Sequence, residues 1–171
     1  TMVKSLTLDT SRVVAFATHG LLSGQFKGPA EPALVLTPPD KATREDDGLL
    51  TASEVAQLKL NAEWVILSAC NTAAADTPGA EGLSGLAKAF FYAGARTLLV
   101  SHWYVESEAA AQLTTQMFDV LEDNPALGRA EALRQSMMKM ASSKEQSHPI
   151  YWGPFVVVGE GGTSPLYPQL Q

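Results

Sequence analysis

The chain contains little cysteine, little charge and no long apolar run, and each shortage excludes a class of protein. One cysteine among 171 residues cannot form an internal disulfide, so a small secreted domain held by disulfides is excluded. Only 18% of the residues are charged, the net charge is −6, and Lys and Arg are scattered, so we expect no nucleic-acid or anionic-membrane surface. No run has the length of a membrane span and no secretory signal opens the sequence, so we expect a cytoplasmic protein or a fragment of one.

The sequence does contain apolar segments that alternate between strand and helix patterns. Hydrophobic residues make up 46% of the chain, which is enough for one globular domain with its own core. Strands that alternate with helices predict an α/β fold with a mostly parallel sheet. We predict strands at residues 12–18, 34–36, 63–68, 97–101 and 155–158, and helices at residues 51–58, 83–94 and 113–121 and from residue 124 onward.

Two of these helices have a start signal in the local sequence. Thr51 and Glu54 have the spacing of a capping box, in which the hydroxyl accepts from the Glu54 N–H and the carboxylate reaches back. Asn124 followed by Pro125 predicts an N-cap and a first-turn proline for the last helix.

A histidine and the single cysteine follow two predicted core strands. His19 comes just after the strand at residues 12–18, and Cys70 just after the strand at 63–68. Because functional groups collect at the carboxyl ends of parallel strands, we expect both side chains at the same edge of the sheet. An imidazole beside a thiol is the minimum apparatus of a cysteine nucleophile with its base. The N–H groups of Gly20 and Cys70 are then candidates for an oxyanion hole.

Residue types and spacing alone leave a second interpretation open. A single cysteine at a strand end is often a small buried residue with a packing role. His19 is equally compatible with a capping histidine in a loop. A histidine about 50 residues upstream of the cysteine is the caspase spacing, but spacing by itself is a weak signal.

Several motifs that follow one another in a fixed order along the chain favour the catalytic interpretation. The first motif is His19-Gly20. The region that contains the motifs extends from about Val13 to Gly159, which is nearly the whole chain. The further motifs are Asp47–Val55, Leu67–Thr72, Gly79–Phe90, Tyr92–Arg96, Ser101–Val105, Glu131–Arg134 and His148–Phe155. In this order and with these residues, the chain resembles CHAT domains, which are related to caspases, separases, gingipains and metacaspases.

The resemblance implies a caspase-hemoglobinase-like three-layer sandwich and a cysteine endopeptidase with a His19/Cys70 dyad. It also implies a mostly bacterial distribution and, as a partner besides the protein or peptide substrate, a tetratricopeptide-repeat region. Separase-like relatives carry an Asp that accepts a basic P1 side chain, and its aligned position here is Ser107. Glu106 and Glu108 are the substitute carboxylates, although acidic residues at a helix start also have a purely structural explanation. Trp103, just past a strand end, is a candidate lining residue of the substrate cleft.

Departures from the family pattern keep an alternative function open. The stretch after Cys70 is less glycine-rich than in relatives, and few residues precede the His19 strand. We therefore expect an N-terminally incomplete domain over residues 1–159, lacking the first strands of the sheet, and a loose tail over residues 160–171. The free edge of the His19 strand should pair with residues 1–10 or with another chain that completes the sheet. The alternative to the protease is an inactive CHAT scaffold used for regulated protein binding.

The remaining histidines indicate no further chemistry. His102 follows a core strand and His148 precedes a proline, and both are interpreted as structural. Three dispersed histidines and one cysteine lack metal-ligand spacing, so we expect no metal and no cofactor.

Overall fold

Two sheets organise the computed structural model, which describes residues 2–21, 31–43, 46–67 and 85–162. The large sheet has the order β1 (Val13–Phe16), β5 (Trp64–Leu67), β6 (Thr97–Ser101) and β7 (Phe155–Gly159), in which β1, β5 and β6 are parallel and β7 is antiparallel to β6. The small antiparallel sheet has the order β2 (His19–Leu21), β3 (Ala33–Val35) and β4 (Leu49–Thr51). The predicted α/β fold with a mostly parallel sheet is confirmed.

Helices cover both faces of the large sheet and produce three layers. On one face lie α1 (Ala52–Val55), α2 (Gly85–Tyr92) and the small sheet, and on the other lie α3 (Ser107–Asp123) and α4 (Arg129–Ala141). Short 3-10 helices occur at Met2–Ser5 and Pro149–Tyr151. β5 and β6 are buried along their whole length, as expected for parallel strands covered on both faces.

β1 lies at the edge of the large sheet. Within the described residues it pairs with β5 alone, and Val13 is 38% exposed. The prediction that residues 1–10 pair with this strand is wrong, because Met2–Ser5 forms a 3-10 helix. Lys4 of that helix is instead ion-paired with Glu54 of α1. Pairing with another chain stays a prediction.

The two predicted helix starts have different outcomes. The capping box of α1 is confirmed, since the Glu54 N–H donates to the Thr51 hydroxyl at 3.3 Å and the Thr51 N–H donates to the Glu54 carboxylate at 3.0 Å. The predicted N-cap at Asn124 is wrong, because Asn124 is the C-cap of α3 and Gly128 precedes α4. The first N–H groups of α4 donate to distant carbonyls, Arg129 to Gly162 at 2.9 Å and Ala130 to Gly161 at 3.1 Å.

Local signals in the sequence explain where α2 ends and where β4 begins. The helix predicted at residues 83–94 spans Gly85–Tyr92, and Leu83 lies outside the described residues. Gly94 follows it with φ +107°, a conformation that favours glycine and ends the helix. β4 was not predicted, although Gly48 at φ +84° marks the turn that starts it, in which the Leu49 N–H donates to the Asp47 carboxylate at 2.9 Å.

Charged residues cluster at the amino end of the parallel strands. Arg129 is 1% exposed and lies over the Trp64 ring at 5.7 Å, with its guanidinium 3.7 Å from Glu63 and 3.4 Å from Glu160. Arg12 donates to the same Glu63 carboxylate at 2.7 and 3.0 Å. Because a buried charge is tolerated only when it is paired, this cluster fixes the amino ends of β1 and β5 to the start of α4.

Candidate active site

His19 is positioned by a change of sheet at the carboxyl end of β1. The chain leaves the large sheet after Phe16, and the Thr18 hydroxyl donates to the Val35 carbonyl of β3. His19 then begins β2, where its backbone is opposite Val35. This antiparallel pairing fixes the backbone of His19 and Gly20, while the imidazole side chain of His19 stays exposed.

The predicted nucleophile follows the neighbouring strand. Phe16 at the end of β1 is in register with Leu67 at the end of β5. His19 comes three residues after the first of this pair, and Cys70 three residues after the second. Cys70 and its backbone N–H lie outside the described residues. The described geometry therefore brings the two strand ends together, and the dyad itself stays a prediction.

A cavity of about 350 Å³ opens beside His19, between the end of β1 and the first half of α3. Its inner wall is formed by Ile66 and Ala110, which are both buried. Tyr104, which is 62% exposed, stands on its outer side. The cavity therefore combines an apolar interior with an imidazole at its border. The described lining residues are Ala15, Ala17, Thr18, His19, Ile66, Tyr104, Val105, Ser107, Ala110, Ala111, Thr114 and Thr115.

The predicted substrate-binding residues lie near this cavity but do not line it. Trp103 is 43% exposed, and its indole N–H donates to the Ile150 carbonyl at 3.4 Å. Glu106 occupies the N-cap position of α3 without a side-chain cap, and Glu108 lies in the first turn. Both carboxylates thus have the position in which the helix dipole favours a negative charge. A role for these three residues in binding substrate stays a prediction.

Most of the residues in the cavity wall are not among those predicted from the sequence. The wall on α3 is formed by small side chains, Ala110, Ala111, Thr114 and Thr115. Their signal in the sequence is a run of alanines and threonines in a helix whose other face is apolar. That signal does not reveal which small residues face a cavity, because this depends on how α3 is placed beside the end of β1.

The other two histidines have positions consistent with structural roles. His148 caps the 3-10 helix at Pro149–Tyr151, since its Nδ1 accepts from the Ile150 N–H at 3.2 Å. The backbone N–H of His102 donates to the Pro154 carbonyl at 3.0 Å, and the residue does not line the cavity. Within residues 2–21, 31–43, 46–67 and 85–162, no three His, Cys, Asp or Glu side chains are grouped so that they can hold a metal.

The sequence comparisons agree with this architecture. The family model of the CHAT domain matches residues 1–160. The chain belongs to the CHAT-domain family. This family is one of caspase-like cysteine peptidases, so its members have the fold class described above. Of the helices in the described part of this CHAT domain, none is long and apolar enough to cross a membrane.

Two mammalian proteins are similar to the chain over 111 residues. They are tetratricopeptide repeat protein 28 of Mus musculus and of Homo sapiens, each 33% identical over 65% of this chain. The matched stretch covers 4% of either mammalian protein, so the chain corresponds to a small part of them. Both relatives are eukaryotic, and they give no support to the expectation of a bacterial source.

Proposed function

We propose that this CHAT domain is a cysteine endopeptidase that cleaves a protein or peptide substrate through His19 and Cys70. The observation that carries the proposal is the pairing of Phe16 with Leu67, because each candidate residue follows one member of this pair by three positions. Adjacent strands lie about 4.8 Å apart, so the two segments that carry His19 and Cys70 start side by side, which supports the proposed dyad. The cavity beside His19 supplies space for a substrate side chain.

The proposed reaction has two halves. The His19 imidazole takes the thiol proton of Cys70, and the sulfur forms a bond to the scissile carbonyl carbon. The C–N bond then breaks, and the imidazolium returns its proton to the leaving amine. Water hydrolyses the resulting thioester with His19 as base again, which releases the acid and restores the thiol. The N–H groups of Gly20 and Cys70 are the proposed donors to the oxyanion in both halves.

A free thiol nucleophile needs a reducing environment, since oxidation removes the thiolate. The chain has a single cysteine and a net charge of −6, which supports a cytoplasmic site of action without nucleic-acid or membrane partners. The repeats in the names of the two mammalian relatives support a tetratricopeptide-repeat region as the element that recruits substrate.

The test is cleavage of a complex peptide library, read by mass spectrometry. We expect new termini with the unmodified chain and none above background with Cys70→Ala or His19→Ala, each checked for folding by circular dichroism. His102→Ala is the matched control, because this exposed histidine does not line the cavity. Cleavage by Cys70→Ala would contradict the proposal.

A second candidate function is a scaffold that binds a partner without cleaving it. The edge position of β1 favours it, because in the described part of the chain this strand pairs with β5 alone. An edge strand with free N–H and C=O groups accepts a strand from another chain. A thiol-reactive peptide electrophile separates the two functions, since modification of Cys70 that depends on His19 supports the protease and indifference to His19 supports the scaffold.

A further inference from the structure

The cavity beside His19 is built for a particular kind of side chain. If His19 is the base, the carbonyl under attack lies next to its imidazole, because reacting groups must approach to about 3–3.5 Å. The side chain on the acyl side of that carbonyl, called P1, then projects from the same point. The cavity that His19 borders is therefore the nearest described space for it.

The described lining of this cavity, apart from His19, is uncharged. Alanine methyl groups, Ile66 and Val105 supply apolar surface, and Thr18, Tyr104, Ser107, Thr114 and Thr115 add hydroxyl groups. The Thr114 hydroxyl already donates to the Ala110 carbonyl at 2.8 Å. Apart from His19, none of the described lining residues carries an ionisable acid or base at neutral pH.

The charged residues nearby in sequence stay outside the cavity. Glu106 and Glu108 flank Ser107 at the start of α3, yet only Ser107 lines the space. The N–H groups in the first turn of this 17-residue helix carry partial positive charge, which disfavours a cation at that end. A cation finds no carboxylate partner among the described lining residues, whereas an aliphatic side chain gains from covering the apolar inner wall.

We propose that this cavity is the P1 subsite and that it selects an uncharged, largely aliphatic side chain rather than a basic one. The assignment rests on the proposed function. Its volume of about 350 Å³ lies at the lower end of the range for small-molecule sites, so it holds a leucine-sized side chain with room for a neighbouring group. Ser107 is the position at which a carboxylate would reverse this selectivity.

The experiment measures covalent labelling of Cys70 in the 171-residue chain. Three peptidyl acyloxymethyl ketones that differ only in P1, namely leucine, arginine or aspartate, are reacted with the protein, and the rate of mass increase is followed. We expect leucine to react at least about tenfold faster than arginine, the discrimination typical of an apolar pocket. Ser107→Asp should raise the rate with arginine and lower the rate with leucine.

Matched variants separate the effect of the negative charge introduced by Ser107→Asp from the effect of the changed side-chain shape. Ser107→Asn has nearly the same shape as the Asp variant without the charge, and it should retain the preference for leucine. Ser107 is an exposed residue at the first position of α3, where an acidic residue is well tolerated, and thermal unfolding checks that both variants fold. Glu106→Gln and Glu108→Gln should leave the ratio of the leucine and arginine rates unchanged.

The outcomes distinguish this assignment from the proposed function. Labelling that depends on His19 but is fastest with arginine, or a preference for arginine that disappears in Glu106→Gln or Glu108→Gln, overturns the aliphatic subsite and leaves the protease intact. Fastest labelling with aspartate overturns it in the same way. Labelling that is slow with all three probes and indifferent to His19→Gln overturns the protease, and the subsite with it.

Discussion

At the amino end of the parallel strands charged side chains are buried against one another, whereas at the carboxyl end uncharged side chains surround an open cavity. Arg129 and Glu63 belong to the first region and have partners within the fold. His19 and Tyr104 belong to the second, and both side chains are exposed at the cavity. The buried charge pairs and the candidate chemistry therefore lie at opposite ends of the same strands, so substitutions at one end should change stability and those at the other should change reactivity.

The largest expected effect is the loss of the buried cation. Arg129→Ala removes one of the two partners of Glu63 and opens a void over Trp64, so the free energy of unfolding should fall by about 2–3 kcal/mol. Chemical denaturation with circular dichroism measures this. Arg134→Ala is the matched control, because Arg134 lies in the same helix and is mostly exposed, and it should scarcely change the midpoint. Equal effects of the two variants would remove the contrast between the buried cluster and the surface.

A smaller effect is expected from the exposed member of the same cluster. Arg12 is about half-exposed and donates twice to one carboxylate oxygen of Glu63. Arg12→Ala should cost about 1–2 kcal/mol of unfolding free energy, since Glu63 keeps Arg129. The same denaturation experiment measures it. If Arg12→Ala lowered the unfolding free energy as much as Arg129→Ala, the strength of these ion pairs would not depend on how exposed the arginine is.

At the carboxyl end of the parallel strands, a substitution should change the rate of Cys70 labelling more than the stability of the fold. Tyr104 is 62% exposed, so Tyr104→Ala should change the unfolding free energy by less than about 0.5 kcal/mol. Because Tyr104 lines the cavity, the same variant should slow labelling of Cys70 by the leucine probe severalfold. Tyr104→Phe keeps the ring and should retain most of the rate. A destabilised protein with an unchanged labelling rate would reverse the assignment of the two ends.

The smallest effect concerns an ion pair on the surface of α4. Hydrogen bonds from Arg134, and then from Gln135, lower the pKa of Glu131 from 4.5 to about 2. Since the pKa is lowered by folding, the contribution of this pair to stability is present above pH 4.5 and is lost as the pH falls toward 2. Carboxyl NMR titration should show a low midpoint that rises in Arg134→Ala. An unchanged midpoint would contradict the pair.

The sequence predicts well those features whose partners are close along the chain. The capping box of Thr51 and Glu54 needs only residues three positions apart, and it is present. The start of α4 was mispredicted because its first N–H groups are satisfied by Gly161 and Gly162, more than thirty residues away. A local pattern contains no information about such a partner.

In the candidate site, too, local features can be predicted from the sequence, whereas features that depend on tertiary packing cannot. That His19 follows a core strand is readable from the alternation of apolar segments, and the structure places it there. The short strand β2, which contains His19, pairs with β3, and β3 pairs with the short strand β4. β2 and β4 carry too few residues for a recognisable period. The cavity depends on how α3 is placed beside the end of β1, so the sequence does not reveal Tyr104 and Thr115 as lining residues.

The most direct test of the central claim is the dependence of Cys70 reactivity on His19. The rate of Cys70 modification by the leucine-containing peptide electrophile is measured for the unmodified chain and for His19→Gln, alongside the unfolding midpoint of each. A His19/Cys70 dyad predicts a loss of about 100-fold or more in rate, which is the contribution of a general base, with an unchanged midpoint. Equal rates in the two proteins would contradict it.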